Sequence, residues 1–158
     1  MLISKLIGAT LITICALKTY SDVQGFQKKR IKQISAFIGL IEYIKNQIEC
    51  FLLPIDVIIN NCDTDLLYNC GIKKDSKSFK ELISSVTFYC NEDAIDIIRQ
   101  FADNFGRSYS HEQIIACEYY KKELIKIREK ELEKDYKNKK VQLAICLCIS
   151  FSIIILLI

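Results

Sequence analysis

Residues 31–52 read Ile-Lys-Gln-Ile-Ser-Ala-Phe-Ile-Gly-Leu-Ile-Glu-Tyr-Ile-Lys-Asn-Gln-Ile-Glu-Cys-Phe-Leu, and their periodicity decides the fold class. Ile31, Ile34, Ile38, Ile41, Lys45, Ile48 and Leu52 recur at alternating steps of three and four, and Phe37, Ile44 and Phe51 widen the stripe. That is the signature of a long amphipathic helix with one packed face. Lys45 interrupts the stripe and is expected at its edge, with its ammonium reaching water. Pro54, the only proline, cannot continue the helix and is suited to the first turn of a short new one holding Ile55, Ile58 and Ile59.

Downstream the helical signals continue and no strand signal competes. Residues 60–77 read as a loop, punctuated by Asn60, Asn61, Asp63, Asp65, Asn69, Gly71 and Asp75. Ser78 followed by Glu81 is a capping box, opening a helix with Phe79, Leu82, Ile83 and Val86 as its apolar positions. The next helix starts near Asn91 and places Ala94, Ile95, Ile98, Phe101, Ala102 and Phe105 on one side, with Gly106 suited to the left-handed residue that ends it. A second capping box, Ser110 with Gln113, opens the last helix. Nothing between 111 and 158 is glycine or proline, so this helix is expected to run on to the chain's last residues. Its stretch from Lys126 to Lys140 holds 11 charged residues in 15 and reads as a solvated stalk, with Ile127, Leu132 and Tyr136 as its only packing candidates. Opposite charges such as Lys130 with Glu133, Glu131 with Lys134 and Asp135 with Lys139 should steady it.

Both ends are apolar. Val141 to Ile158 contains no charge, glycine or proline, and 12 of its residues are Val, Leu, Ile or Phe. Such a helix rises roughly 27 Å, close to the ~30 Å hydrocarbon core of a bilayer. It reads as a transmembrane helix rather than a buried core helix. Leu6 to Leu17 is shorter and needs Met1-Leu2-Ile3 and a snorkelling Lys5 to cross. No small-residue cleavage pattern precedes Lys18, and Ile14 before Cys15 does not suit a lipoprotein signal. A signal anchor and an amphipathic helix lying in the membrane surface are the readings left. Lys18, Lys28, Lys29, Arg30 and Lys32 follow the first tract, and Lys134, Lys137, Lys139 and Lys140 precede the second. By the positive-inside rule the region between them is expected in the cytoplasm, at the cell membrane. The expected organisation is an N-terminal anchor at 1–18, a cytoplasmic helical-bundle domain at 19–140 and a C-terminal transmembrane helix at 141–158. The fold class is all-α: a small antiparallel bundle of about five to six helices between two membrane helices.

Composition narrows the function classes. All 19 acidic residues and all basic ones but Lys5 fall between residues 18 and 140, interleaved rather than gathered, which is no nucleic-acid footprint. The chain has 8 cysteines but no C-x-x-C pair, and its one histidine, His111, has no partner ligand at helical spacing, so neither a disulfide framework nor a zinc site is expected. There is no glycine-rich phosphate loop and no nucleophile with a base in a recognisable pattern. No enzymatic activity and no cofactor are expected.

Two local motifs and the order of elements carry a resemblance. Asn46-Gln47-Ile48-Glu49-Cys50-Phe51-Leu52-Leu53-Pro54-Ile55 resembles an acid-Ile pair upstream of Pro-Leu, with Gln47 where an acid is usual and Cys50 where an aromatic is. Phe105-Gly106-Arg107-Ser108-Tyr109-Ser110, followed by Gln113, resembles a Phe-Gly, Leu-Gly, acid and Gln pattern, with Ser108 and Tyr109 replacing Leu-Gly. With an apolar tract at each end, the whole chain resembles the stage III sporulation protein AB family of endospore-forming bacteria. The resemblance implies a cytoplasmic helical domain similar to those of F-type platform proteins of type II secretion and type IV pilus machines. It also implies, as partners, a cytoplasmic ATPase resembling stage III sporulation protein AA, other membrane proteins of the same channel-like complex and the lipid bilayer. The implied site of action is the mother-cell membrane facing the forespore.

Within that reading, partner contact is expected at Gly106, Arg107, Ser108, Tyr109 and Gln113, because this turn joins two well-defined helices and carries an arginine suited to a carboxylate. The plainer assignment makes Gly106 a helix cap, Arg107 a solvated side chain and Gln113 the closing half of a capping box. Two alternatives stand beside the docking role: a homo-oligomeric hairpin that forms or regulates a pore, and a bundle holding a small ligand. Neither apolar tract carries an acid, the C-terminal one lacks a small-xxx-small pattern, and no convergent polar set marks a ligand core.

Overall fold

The computed structural model describes residues 2–73, 78–105 and 110–157. Six helices occur among them: α1 (Leu2–Phe51), α2 (Ile55–Asn61), α3 (Thr64–Cys70), α4 (Phe79–Ser84), α5 (Glu92–Asn104) and α6 (Ser110–Leu157). The described residues contain no strand, and the fold is all-α. Two compact units share the long helices. One is Lys29–Glu131; the other comprises Met1–Lys28 and Leu132–Ile158.

The stripe read from residues 31–52 is the spine of the Lys29–Glu131 unit. Ile34, Phe37, Leu40, Ile41, Ile44 and Ile48 are buried along α1. Facing them are Ile58 and Ile59 of α2, Leu67 of α3, Leu82 and Ile83 of α4, Ile98 of α5, and Cys117 and Leu124 of α6. An aromatic cluster extends this core, with Phe101 ring centroids 5.9 Å from Phe79, 4.8 Å from Phe105 and 5.5 Å from Tyr120. Burial ends at Ile48: Phe51 and Leu52, expected in the stripe, are 64 % and 71 % exposed. The helix stops there, so the last turn has nothing to pack beneath it.

Ion pairs show that α1 and α6 run antiparallel in this unit. Arg30 Nη1 lies 2.9 Å from Glu131 Oε2, and, further along α1, Lys45 Nζ lies 2.6 Å from Glu118 Oε1. Lys121 Nζ bridges Glu42 at 2.6 Å and Glu118 at 2.9 Å. Lys45 therefore ends in an ion-pair network between helices rather than in open water. The hydrogen bond to Glu118 raises the Lys45 pKa, and the bonds from Lys45 and Lys121 hold the Glu118 carboxyl below its ordinary range. Lys121 is raised chiefly by its bond to Glu42.

The short elements correct two expectations. Residues 60–77 are not one loop: α2 runs to Asn61, and α3 forms from Thr64, capped by the Asp63 side chain, which accepts from Asp65 N at 3.0 Å. Two of the punctuating residues, Asp63 and Gly71, are its caps. Gly71, at φ 83, supplies the left-handed residue that ends α3, whereas α5 ends at Phe105 with extended backbone and Gly106 lies outside the described residues. The capping box of Ser78 and Glu81 forms as read. Ser110 lies inside α6 as its first residue, not in front of it.

The charged stretch of α6 is also corrected. Glu131 and Asp135 are buried, while Leu132 and Tyr136, the expected packing residues, are 45 % and 64 % exposed. Ile127 does pack against the core. A buried carboxylate needs a partner; Glu131 has Arg30 and Asp135 has Lys139 at 2.6 Å. Glu133 pairs with Lys137 at 2.7 Å.

In the other unit, Gln24 of α1 donates to Gln142 Oε1 of α6 at 3.4 Å. Among the described residues no helix is long and apolar enough to cross a membrane. The two anchors expected at 1–18 and 141–158 fall partly on side chains outside the described set, among them 1–7 and 154–158.

Gln33 of α1, 3 % exposed, ties the connecting segments to the spine. Its Nε2 donates to Cys70 O at 3.0 Å and Thr87 O at 3.1 Å, and its Oε1 accepts from Tyr89 N at 2.7 Å and Cys90 Sγ at 3.2 Å. Replacing Gln33 by Ala removes one partner from each of these groups, and each buried orphan costs about 1–3 kcal/mol. Denaturant unfolding followed by helical circular dichroism is expected to show Q33A less stable by about 3 kcal/mol. A loss no larger than that of the exposed control K32A would show the clamp to be dispensable.

Candidate functional site

The candidate site begins where α1 stops. Leu52 N donates to Ile48 O at 3.0 Å, closing the last turn, but Leu52 itself adopts φ 52. This left-handed conformation is ordinarily taken by glycine, and for a residue with a Cβ it costs roughly 1–2 kcal/mol. Leu53 follows, restricted to extended backbone by the proline after it. Pro54, at φ −67 and ψ 151, stands at the N-cap of α2 and accepts from Ile58 N at 3.1 Å.

A groove of about 300 Å³ opens beside this turn, lined by Ile48, Leu52, Leu53, Pro54 and Ile55 on one side and by Ser110 and Gln113 of α6 on the other. Gln113 also lines a small cavity of about 20 Å³ with Phe101, Phe105 and Tyr120. There Asn104 Nδ2 donates to the Tyr120 hydroxyl at 2.8 Å. Gln113 is thus shared between an open groove of mixed polarity and the aromatic end of the core.

The groove brings Ile48 and residues 52–55 of one stretch that carried the resemblance together with Ser110 and Gln113 of the other, although they lie far apart in the chain. A model of the family described as stage III sporulation protein AB matches residues 5–158. The chain belongs to this family. No curated protein and no solved structure matches it.

Of the five expected contact residues, Gln113 lines the groove, and Gly106, Arg107, Ser108 and Tyr109 lie outside the described residues. Sequence reading missed Phe51, Leu52 and Leu53, because helical periodicity assigned the first two to the core. The run Phe51-Leu52-Leu53-Pro54 held the signal: a helix broken by proline cannot bury three consecutive apolar residues on one face.

The groove offers shape and apolar surface rather than reactive groups. Among the described residues no cluster of three or more His, Cys, Asp or Glu is placed to hold a metal ion. The buried thiols are poor nucleophiles, since burial pushes Cys90 and Cys117 up to about 12 and raises Cys70 as well.

If Leu52 is strained, glycine there should relieve it. L52G is expected to gain about 1 kcal/mol, read as a Tm about 3 °C higher. A lower Tm would show that the exposed leucine stabilises the turn.

Proposed function

We propose that this chain is a non-enzymatic platform protein of a sporulation-specific, secretion-like complex, docking a cytoplasmic ATPase at the mother-cell membrane around the forespore. The observation that carries the reading is the groove beside Leu52, walled by apolar side chains on one side and by Ser110 and Gln113 on the other, with the exposed Phe51 next to it in sequence. Exposed large apolar residues beside a groove suit an amphipathic segment of a partner protein. The arrangement combines a pocket with projecting side chains, as at the centres of protein interfaces. The family, and its resemblance to platform proteins, supplies the kind of partner: an ATPase resembling stage III sporulation protein AA.

The membrane part of the reading rests on the apolar ends. Leu11, Ile14 and Leu17 of α1 and Val141, Leu143, Ile145 and Ile149 of α6 are each about half exposed or more. Apolar side chains standing out along two helices call for cover, and the positive charges flanking the tracts favour lipid, with residues 19–140 in the cytoplasm.

Two experiments test these parts separately. Affinity purification of the full chain from detergent-solubilised sporulating cells is expected to recover the ATPase, and L52D to reduce recovery at least about tenfold through a buried, unpaired charge. Leu52 is exposed, so folding should survive the change. A large homo-oligomer without ATPase would overturn docking in favour of the pore-forming hairpin. For topology, Cys50 is exposed while Cys62, Cys70, Cys90 and Cys117 are buried, which makes Cys50 the reporter for the central domain. With Cys15, Cys146 and Cys148 replaced by alanine, a membrane-impermeant maleimide is expected to label Cys50 only after permeabilisation. Labelling of intact cells would overturn the cytoplasmic assignment.

A further inference from the structure

A second cavity, of about 360 Å³, opens on the Lys29–Glu131 unit, with Lys29 and Lys32 of α1, Tyr68 and Asn69 of α3, and Tyr89 around it. It is separate from the groove at Leu52, since Lys32 and Ile48 are sixteen residues apart on one helix, about 24 Å along its axis. No acidic residue lines it. Among the described residues neither lysine has an ion-pair partner; the Lys29 ammonium rests 5.9 Å from the centre of the Tyr89 ring. Tyr68, on the rim, leaves 81 % of its surface in solvent.

We infer that this cavity binds an acidic peptide segment of a partner protein, one in which Asp or Glu residues flank an aromatic or aliphatic side chain. The two ammoniums supply point charges for carboxylates, and the tyrosine faces supply apolar area for the side chain between them. Phosphate is a poorer match. Phosphate sites gather free backbone amides at nests or helix N-termini, and two of the amides at this cavity are already committed. Tyr89 N donates to Gln33 Oε1, and Gly71 N donates to Tyr68 O at 2.9 Å. Those two amides cannot turn to an anion, and recognition falls chiefly to the lysines and tyrosines of the rim. Gln33 fixes the backbone at Tyr89 and at the end of α3, so the positions from which the two tyrosines project are set before any ligand arrives, which lowers the backbone ordering cost of binding.

The test uses the full chain in a neutral detergent and fluorescein-labelled acetyl-Glu-Glu-Tyr-Glu-Glu-amide as the probe, read by fluorescence anisotropy. Saturable binding that weakens as salt is raised is expected. Lys29→Glu combined with Lys32→Glu should weaken it at least about tenfold through like-charge repulsion, and Tyr68→Ala should weaken it without changing its salt dependence. These side chains are exposed, and continued protection of the buried thiols reports that the variants fold. Leu52→Asp should leave peptide binding unchanged, so failure of this inference and failure of ATPase docking are read independently. Absence of saturable binding at low salt, or binding that survives the charge reversal, overturns the proposal. So does displacement of the probe by equimolar inorganic phosphate or by phosphatidylglycerol vesicles, which would reassign the cavity to phosphate groups.

Discussion

The side-chain amide of Gln33 is the interaction on which the short segments of the central unit depend. The two long helices can pair through their own apolar faces and ion pairs, but α3 and the irregular stretch from Val86 to Cys90 bring backbone polar groups into the interior. Buried peptide groups must be paired, and no neighbouring strand or helix is available to pair these. One amide with two donors and an acceptor oxygen satisfies Cys70 O, Thr87 O, Tyr89 N and the Cys90 thiol together. An apolar residue of the same size would fill the space and leave the peptide groups orphaned. The geometry also limits Gly71: a Cβ there would sit 3.3 Å from Gln33 Nε2, and φ 83 already disfavours any side chain. Gln33 and Gly71 therefore act as one device, the glycine turning the chain tightly enough for the amide to reach it.

What could be read in the sequence follows from the range of each signal. The α1 stripe, the Ser78–Glu81 capping box and the apolar face of α5 are local patterns whose meaning does not depend on distant residues; the box and the α5 face appear as read, and the stripe does as far as Ile48. The helix α3 was hidden because its seven residues are bounded by Asp63 and Gly71, which look like loop punctuation until they are recognised as caps. Gln33 lay unmarked in the middle of an amphipathic helix, since its partners are 37 to 57 residues away in sequence. Of the candidate site, only Gln113 was legible; the apolar residues at the end of α1 carried a helical period that kept them in the expected core after the helix itself had ended.

Charge was misjudged for a related reason. A run of alternating Lys and Glu on one helix suggests a face turned to water, yet Glu131 is buried against Arg30 of α1. Periodicity along one helix reveals where apolar residues gather, but not which charged position meets an opposite charge on another helix. Lys45 makes the same point from the other side. It breaks the α1 stripe because Glu118 and Lys121 of α6 meet it there, and the network with Glu42 converts an apparent flaw in the stripe into a cross-link. Such pairs add little energy at a surface, but they resist sliding of one helix along the other, because register is what places the partners opposite each other.

Leu52 stands against this background of satisfied constraints. Elsewhere among the described residues most local rules are met: glycine takes the left-handed cap of α3 and the buried carboxylates Glu131 and Asp135 have bases, although Gln24 Oε1, Asn91 Oδ1 and Arg128 Nε are buried without a hydrogen-bond partner. At the end of α1 a leucine adopts the backbone conformation that glycine would take more cheaply, and it spends that strain to put an apolar side chain into solvent. Stability alone offers no return for either cost. Departures of this kind collect where a surface has to be held ready for something else. The same turn begins a groove whose far wall is Gln113, from the other end of the sequence. A more relaxed turn would let α1 end in a cap and withdraw the leucine, removing the apolar wall that a partner segment would cover. Under the proposed docking role, the strain at Leu52 is the cost of keeping a partner surface open in the unbound protein.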